Sequence, residues 1–190
     1  MRRVIIVHGW GGFPEEGWFP WLKKELESRG FKVEVPEMPN SDEPKIKAWV
    51  DYLNKVAGEV DEKTYFVGHS IGCQTIIRYL EEMPKDEHIG GTVFVAGWFN
   101  LKGLQTNLEK EIAKPWLETE INFDKVRKHT HKFVEIMSDN DEYVSLTDAE
   151  LFERKLNAKV IIERNMGHFS GEDGVKELPV VLNKLLEISK

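Results

Sequence analysis

Residues 64–80 read TYFVGHSIGCQTIIRYL and carry the clearest structural signal in the chain. The run Thr64–Val67 is largely apolar and β-prone, which is typical of a buried strand. Beyond the pentapeptide GHSIG at positions 68–72, apolar residues recur at helical spacing, at Cys73, Ile76, Ile77 and Leu80. The stretch therefore predicts a strand that passes through a sharp turn into a helix.

The turn itself has the form G-x-S-x-G, with Ser70 at its centre. Between a strand and a helix, this pattern is typical of a serine nucleophile whose strained backbone exposes the hydroxyl. Glycine is expected at positions 68 and 72 because side chains there would collide with neighbouring backbone. The alternative is that Ser70 is an ordinary helix N-cap between packing glycines. The setting favours the nucleophile.

Outward from this stretch, five more apolar runs alternate with helical patterns: Arg3–Val7, Lys32–Val35, Thr92–Ala96, Lys132–Met137 and Lys159–Ile162. Runs that are apolar at nearly every position are typical of parallel strands covered on both faces. We therefore predict a single α/β domain over residues 1–190, with a mostly parallel sheet of about six strands and helices on both faces. Each helix is expected to bury one side. Residues 97–131 break the alternation and predict an irregular, partly helical excursion above the sheet edge, without a large lid domain.

The first apolar run leads into a glycine-rich loop, His8-Gly9-Trp10-Gly11-Gly12. Such a loop can cradle phosphate, but its spacing is neither G-x-G-x-x-G nor that of a P-loop. The loop is better explained as the source of the second oxyanion donor. In enzymes with this kind of nucleophile turn, that donor is a backbone N–H in the loop after an early strand. We predict that the backbone N–H groups of Trp10 and Ile71 form the oxyanion hole. An ordinary tight turn is the alternative.

A serine nucleophile needs a base, which should follow it in the chain with the acid between them. Of the six histidines, two precede Ser70 and three lie in connections that lead into a strand; they are His8, His69, His88, His129 and His131. His168 lies just past an apolar run, where functional groups gather on a parallel sheet. We predict His168 as the base, with a solvated loop histidine as the alternative.

Three acidic residues compete for the third position, and all lie just past the strand predicted over Lys132–Met137: Asp139, Asp141 and Glu142. We favour Asp141, because an aspartate a few residues past the strand can reach back over the sheet. Asp139 is closer to a turn-forming position. The alternative is that the whole cluster is a solvated acidic turn.

Together these motifs resemble the α/β-hydrolase superfamily. They are more closely similar to its compact serine hydrolases, the family of retinoblastoma-binding protein 9 and the YdeN-like bacterial proteins. The resemblance covers nearly the whole chain and rests on residues 8–12, Trp18, Trp21, residues 68–72, Trp98-Phe99, residues 138–144 and residues 167–169. In that family the acid lies at the position that matches Asp141. The resemblance implies a carboxylesterase-like enzyme that cleaves carboxylic esters or related acyl bonds of small substrates through an acyl-enzyme, and it does not fix the substrate.

Aromatic residues next to these motifs are candidates for an apolar substrate pocket: Trp10, Trp98, Phe99 and Phe169. Packing in the core is the alternative interpretation of each. A rival of another class is a protein-interaction module on a hydrolase fold, with little or no turnover, whose tryptophans would contact a partner. The presence of all three catalytic residue types favours the enzyme.

The charge and composition of the chain limit the classes of molecule that it is expected to bind. The chain has 190 residues and a formal net charge of −7, and it has no basic cluster. This balance argues against nucleic acid and anionic membranes as partners and leaves a small-molecule ester or acyl substrate. A single cysteine, Cys73, precludes an intramolecular disulfide, and no segment approaches the length of a membrane span. We expect a cytoplasmic protein without cofactor or metal, because the one metal-like pair, His129 and His131, lacks further ligands.

Overall fold

The computed structural model describes all residues, 1–190, and contains six strands and seven helices. The strands are β1 Arg3–Val7, β2 Lys32–Glu34, β3 Thr64–His69, β4 Gly91–Val95, β5 Phe133–Ser138 and β6 Lys159–Glu163. The helices are α1 Phe19–Glu27, α2 Ile46–Ala57, α3 Ile71–Glu82, α4 Asn107–Glu118, α5 Phe123–His129, α6 Asp148–Leu156 and α7 Pro179–Ile188. None of these helices combines the length and the apolar composition needed to cross a membrane.

The strands form one sheet in the order β2-β1-β3-β4-β5-β6, and every neighbouring pair is parallel. This confirms the predicted α/β class and the six strands, and it makes the sheet wholly parallel. In a parallel sheet all the carboxyl ends lie at one edge, so the segments that follow β1, β3, β5 and β6 share that edge. These are the segments that carry the predicted catalytic and oxyanion residues.

Alternating side chains of the strands divide the core into two layers. Val4 and Ile6 of β1 belong to one apolar cluster, together with residues of α1 and α7. Ile5 and Val7 belong to the other cluster, which includes residues of α2, α3 and α6. Helices therefore cover both faces of the sheet, as the sequence predicts.

The prediction that each helix buries one side is wrong for α3, in which every residue from Ile71 to Leu80 is buried. The cause is that α4 and α5, within residues 97–131, pack over α3. The residues before α4 stay at the carboxyl edge of the sheet, where the N–H of Lys102 donates to the carbonyl of Tyr143 at 2.9 Å. Trp116 of α4 and Val126 of α5 lie in the same core cluster as residues of α3. The guanidinium of Arg78 in α3 also donates to the carbonyls of Trp116 and Thr119, at 3.0 Å each.

Candidate active site

Ser70 lies at the junction of β3 and α3 with φ 52° and ψ −119°. Positive φ is uncommon for a residue that has a Cβ, and it marks a strained turn. The N–H of Ser70 donates to the carbonyl of Val95 at 2.9 Å, which holds the turn against β4. Its side chain makes no capping hydrogen bond to α3. Ser70 thus occupies the N-cap position of α3, but its hydroxyl does not cap the helix, contrary to the alternative of an ordinary N-cap serine.

The two glycines of the turn allow close backbone contacts. A Cβ at Gly72 would lie 2.3 Å from the carbonyl oxygen of Val7 and 2.7 Å from that of His8. A Cβ at Gly68 would lie 2.8 Å from the backbone nitrogen of Cys73. All three distances are shorter than real Cβ contacts, so a side chain at either position would push α3 away from the sheet.

His168, in the loop after β6, joins Ser70 to Asp141, in the loop after β5. Nε2 of His168 lies 2.9 Å from Oγ of Ser70, and its Nδ1 lies 2.8 Å from Oδ2 of Asp141. A carboxylate only accepts hydrogen bonds, so Nδ1 carries the proton and Nε2 accepts from the serine hydroxyl. The side chain of Asp141 is 1% exposed and that of His168 is 15% exposed. Water is therefore excluded from the carboxylate but can reach the imidazole.

The second oxygen of Asp141 is also satisfied, since Oδ1 accepts from the backbone N–H groups of Tyr143 and Val144 at 2.8 and 3.0 Å. Burial alone would raise the pKa of this carboxyl. The hydrogen bond to His168, the charge of His168 and the two N–H groups outweigh burial and hold the pKa below its usual value. Asp141 is therefore ionised over the whole neutral range, as the acid of such a relay must be.

The two other acidic candidates lie elsewhere. Asp139 accepts from the N–H of Asn165 at 2.8 Å through its Oδ1 atom, and so fastens the loop that carries His168. Asn140 assists it by accepting from the N–H of Gly167 at 2.8 Å. Glu142 is exposed. Of the three acidic candidates, only Asp141 contacts the imidazole, while Asp139 fastens the loop that carries it.

One predicted oxyanion donor, Trp10, lies in the glycine-rich loop after β1, and the other, Ile71, lies at the start of α3. Ile71 begins α3, where the N–H groups have no acceptor within the helix. The backbone N–H of Trp10 donates to no protein atom, whereas that of Gly11 donates to Ser41. The indole of Trp10 donates to the carbonyl of Asp42 at 2.9 Å and anchors the loop. Both N–H groups are therefore available to a ligand.

His8 stabilises this loop from within. It is fully buried, and its Nδ1 donates to the carbonyl of Gly9 at 2.8 Å while its Nε2 accepts from the N–H of Met38 at 2.9 Å. Burial lowers the pKa of His8, which keeps the ring neutral and preserves this pattern of one donor and one acceptor. Its structural place agrees with its exclusion as the base.

The four predicted substrate contacts separate into different environments. Trp98 is buried, but its indole nitrogen lies 3.4 Å from Oγ of Ser70, and Trp10 is half-buried on the loop just described. Phe99 is half-buried against Phe152, with ring centres 4.6 Å apart. Phe169 is fully buried in the core layer of α1 and α7, so the prediction that it lines the substrate pocket is wrong.

Sequence reasoning missed three residues around the site. The ring of Tyr143 stands edge-on to that of His168, with centres 5.2 Å apart, and Tyr143 is 42% exposed. Asp148 holds the segment after β4, since it accepts from the N–H groups of Phe99 and Asn100 at 2.6 and 2.9 Å. Glu135 in β5 is fully buried and accepts from the N–H of Gly97 at 2.9 Å. A charged residue inside an apolar run was the available signal for Glu135.

The metal-like pair of the sequence lies far from this site. His129 and His131 line a cavity of about 740 Å³ at the amino ends of the strands, the edge opposite Ser70. Nδ1 of His129 donates to the carbonyl of Glu87 at 2.7 Å, which leaves one ring nitrogen for any ligand.

Comparisons with known proteins identify the family of this chain. A family model described as serine hydrolase matches residues 4–187. YdeN of Bacillus subtilis strain 168 is 29% identical over 184 residues, which cover 97% of this chain and 94% of that protein. The serine hydrolase RBBP9 of Rattus norvegicus is 24% identical over 187 residues, which cover 96% and 95% of the two chains.

Solved structures share the fold. The structure of the ydeN gene product superposes with a TM-score of 0.90 at 26% identity, covering 99% of this chain and 98% of the other. Est1E from Butyrivibrio proteoclasticus superposes with a TM-score of 0.67 at 17% identity, covering 97% and 88%, which is a likeness of fold alone. With its parallel sheet and a family match over nearly its full length, the chain has the α/β-hydrolase fold and belongs to the serine hydrolase family.

Proposed function

We propose that this hydrolase cleaves carboxylic esters or related acyl bonds of small substrates through an acyl-enzyme on Ser70. The observation that carries the proposal is the unbroken chain of hydrogen bonds from Ser70 through His168 to Asp141, with links of 2.9 and 2.8 Å. A serine hydroxyl is a weak nucleophile at neutral pH, and a base oriented by a buried carboxylate is the arrangement that activates it.

In the acylation step, Oγ of Ser70 attacks the substrate carbonyl carbon while Nε2 of His168 accepts the hydroxyl proton. The imidazolium that forms is stabilised by the ionised carboxylate of Asp141. The tetrahedral intermediate then collapses, the bond to the leaving oxygen breaks, and Nε2 returns the proton to the departing alcohol. Deacylation repeats the sequence, with water in place of the serine hydroxyl and Ser70 as the leaving group.

The carbonyl oxygen becomes negatively charged in both tetrahedral intermediates. We assign its stabilisation to the backbone N–H groups of Trp10 and Ile71, with the positive end of the α3 dipole behind Ile71. One such donor contributes about 3 kcal/mol to lowering the barrier. The fixed turn and the anchored Trp10 loop support this assignment, because preorganised donors need no rearrangement as charge develops.

The surroundings of Ser70 favour an uncharged, partly apolar substrate. The indole of Trp98 faces the nucleophile, and Tyr143 stands exposed beside His168. Phe13, just past the predicted oxyanion loop, is 50% exposed and adds an apolar side chain to the same edge of the sheet. Aromatic side chains of this kind suit acyl or alcohol groups of modest size.

Turnover of p-nitrophenyl esters of increasing chain length tests the proposal, with amide and thioester analogues as comparisons. We expect measurable release of p-nitrophenol by the wild-type protein and none above background by Ser70→Ala at an unchanged melting temperature. The matched control is Ser28→Ala, since Ser28 caps the end of α1 on the surface. Retained turnover in purified Ser70→Ala contradicts the proposal. No turnover of any ester by folded wild-type protein favours the protein-interaction module.

A further inference from the structure

His69 precedes the nucleophile and contacts the residue that activates it. It is the last residue of β3 and is 3% exposed. Its Nε2 atom lies 2.7 Å from the main-chain carbonyl oxygen of His168, 99 residues away, and the two imidazole rings lie 5.1 Å apart between centres. His69 transfers no proton in the proposed mechanism, so its contact with His168 can contribute only by positioning the catalytic residues.

The contact fixes which nitrogen of His69 carries the proton. A carbonyl oxygen only accepts, so Nε2 donates and Nδ1 is the unprotonated nitrogen. Nδ1 is buried and has no hydrogen-bond partner. Burial, with a further contribution from nearby His168, lowers the pKa of His69 to about 3, so the ring stays neutral throughout the working range of a hydrolase. The neutral ring is thus a permanent single donor.

The ring of His69 is held in place by its neighbours. Trp18 and Phe19 pack edge-on against it, with ring centres 6.2 and 6.1 Å away. On the other side, the ring packs closely against Gly9, where an added Cβ would lie 3.0 Å from Nδ1 and would require the ring to shift by a few tenths of an ångström. The imidazole therefore has little freedom to turn away from His168.

The main chain of His168 is held from both directions. Its N–H donates to Oδ2 of Asp173 at 2.9 Å, and the same carboxylate accepts from the N–H of Ser170 at 3.0 Å. Its carbonyl accepts from His69. Asp173 belongs to the loop of His168 itself, whereas His69 is covalently joined to Ser70. Of the two contacts, only the one from His69 ties the base directly to the nucleophile turn.

We propose that His69 is a positioning residue, whose single hydrogen bond to the carbonyl of His168 sets the distance between Nε2 of that residue and Oγ of Ser70. The inference rests on the proposed function, since it assigns His69 a part in the same relay. Without the bond, the loop that carries His168 is held by Asp173 at the N–H of His168 and by Asp139 at the N–H of Asn165. The imidazole can then shift relative to the hydroxyl of Ser70. A displacement of about 1 Å in such a site costs on the order of 10²-fold in rate.

Two substitutions at position 69 separate the donor from the bulk of the ring. His69→Phe keeps a planar ring against Trp18 and Phe19 but has no donor. His69→Gln has an amide nitrogen near the position of Nε2 and keeps the donor. For p-nitrophenyl acetate we expect kcat to fall by on the order of 10 to 10²-fold in His69→Phe, with little change in KM, and to recover largely in His69→Gln.

His129→Phe is the matched control, because His129 is equally buried and donates to a backbone carbonyl at the same 2.7 Å, at the opposite edge of the sheet. We expect it to lower the melting temperature and to leave kcat unchanged. If His69→Phe does not fold, His69→Asn replaces it, since its shorter amide falls short of His168; kcat is then expected to be lower in Asn than in Gln.

The inference is overturned if His69→Phe keeps the kcat of wild type. It is also overturned if His69→Gln has the same kcat as the variant without a donor, whether that is His69→Phe or His69→Asn. An equal loss of kcat in His129→Phe overturns it as well, because the loss would then follow stability. Failure of the proposed function is recognised separately, by turnover that survives Ser70→Ala. Activity that is lost in Ser70→Ala and kept in His69→Phe removes the positioning role alone.

Discussion

Nε2 of His168 lies within hydrogen-bonding distance of Oγ of Ser70, at 2.9 Å, although 98 residues separate the two in the chain. The contact exists because β3 and β6 are parallel strands of one sheet, so the loops that follow them emerge at the same edge. Asp141 reaches the same point from the loop after β5, which is the neighbour of β6. The sheet order thus brings three separate segments to one site.

Asp141→Asn tests the role of the acid. An asparagine in the same place offers an amide that cannot reproduce an ionised acceptor for Nδ1 of His168, so the imidazole is held in the wrong tautomer and its cation is not stabilised. We expect kcat for an activated ester to fall by on the order of 10⁴-fold, with a much smaller change in KM. Steady-state kinetics of the purified variant check this.

Asp139→Asn and Glu142→Gln are the controls for that substitution. Asp139 fastens the loop of His168 through the N–H of Asn165, and Glu142 is exposed, so neither contacts the imidazole. We expect kcat within about tenfold of wild type for Asp139→Asn and nearly unchanged for Glu142→Gln, since surface substitutions away from special features have small effects. A loss in either control that equals the loss in Asp141→Asn would show that the acid is misassigned.

Glu135→Gln tests the buried carboxyl of β5. Burial raises the pKa of Glu135 well above its usual value, with Asp148 and Asp141 adding to the rise, so the folded protein keeps a proton here that the unfolded chain releases above about pH 4.3. The folded state therefore binds more protons, and the contribution of this group to stability falls as pH rises until the folded pKa is reached. Glutamine does not titrate and keeps the acceptor for Gly97.

The difference in unfolding free energy between Glu135→Gln and wild type isolates this one group, because the other titrating residues are common to both proteins. We expect the difference to change in favour of the glutamine variant as pH rises toward the folded pKa of Glu135, by at most about 1.4 kcal/mol per pH unit. Urea denaturation at pH 6, 7 and 8 measures it. Stability curves that run parallel over this range would show that Glu135 is ionised in the folded protein.

Gly72→Ala tests the close approach of α3 to β1. The added Cβ would stand 2.3 Å from the carbonyl oxygen of Val7, which belongs to the backbone and cannot rotate aside. We expect a loss of about 3 kcal/mol in unfolding free energy, at the upper end of the range for overpacked sites. Gly171→Ala is the control, because its nearest contact would be an ordinary 3.4 Å and its φ is not positive. Equal stability of the two variants would contradict the packing described here.

The parts of the fold and of the candidate site that could be predicted are those that depend on local sequence patterns. The strand over Lys132–Met137 is found at Phe133–Ser138, and the turn at GHSIG is where the motif places it, because both depend on residues close together in the chain. Asp141, the predicted acid, contacts the imidazole of His168, whereas Asp139 is engaged with Asn165 beside its own strand. Strand ends and turns are set by nearby residues, and a sequence displays these directly.

Contacts between residues that are far apart in the chain could not be predicted from the sequence. The bond from His69 to His168 joins residues 99 positions apart, and no pattern around either one indicates it. Phe169 follows the base directly and looks like a pocket residue, but it has φ 57° and its side chain lies in the core. The packing of α4 and α5 over α3 likewise depends on tertiary contacts of Trp116 and Arg78, which no helical period reveals.

The central claim is that Ser70 is a nucleophile activated by His168, and covalent labelling with a fluorophosphonate probe measures this most directly. Intact-mass analysis should show one adduct on the folded wild-type protein, mapped by peptide sequencing to Ser70, with none on Ser70→Ala and slow labelling of His168→Ala. An adduct at another residue, or no adduct on folded wild-type protein, would contradict the account.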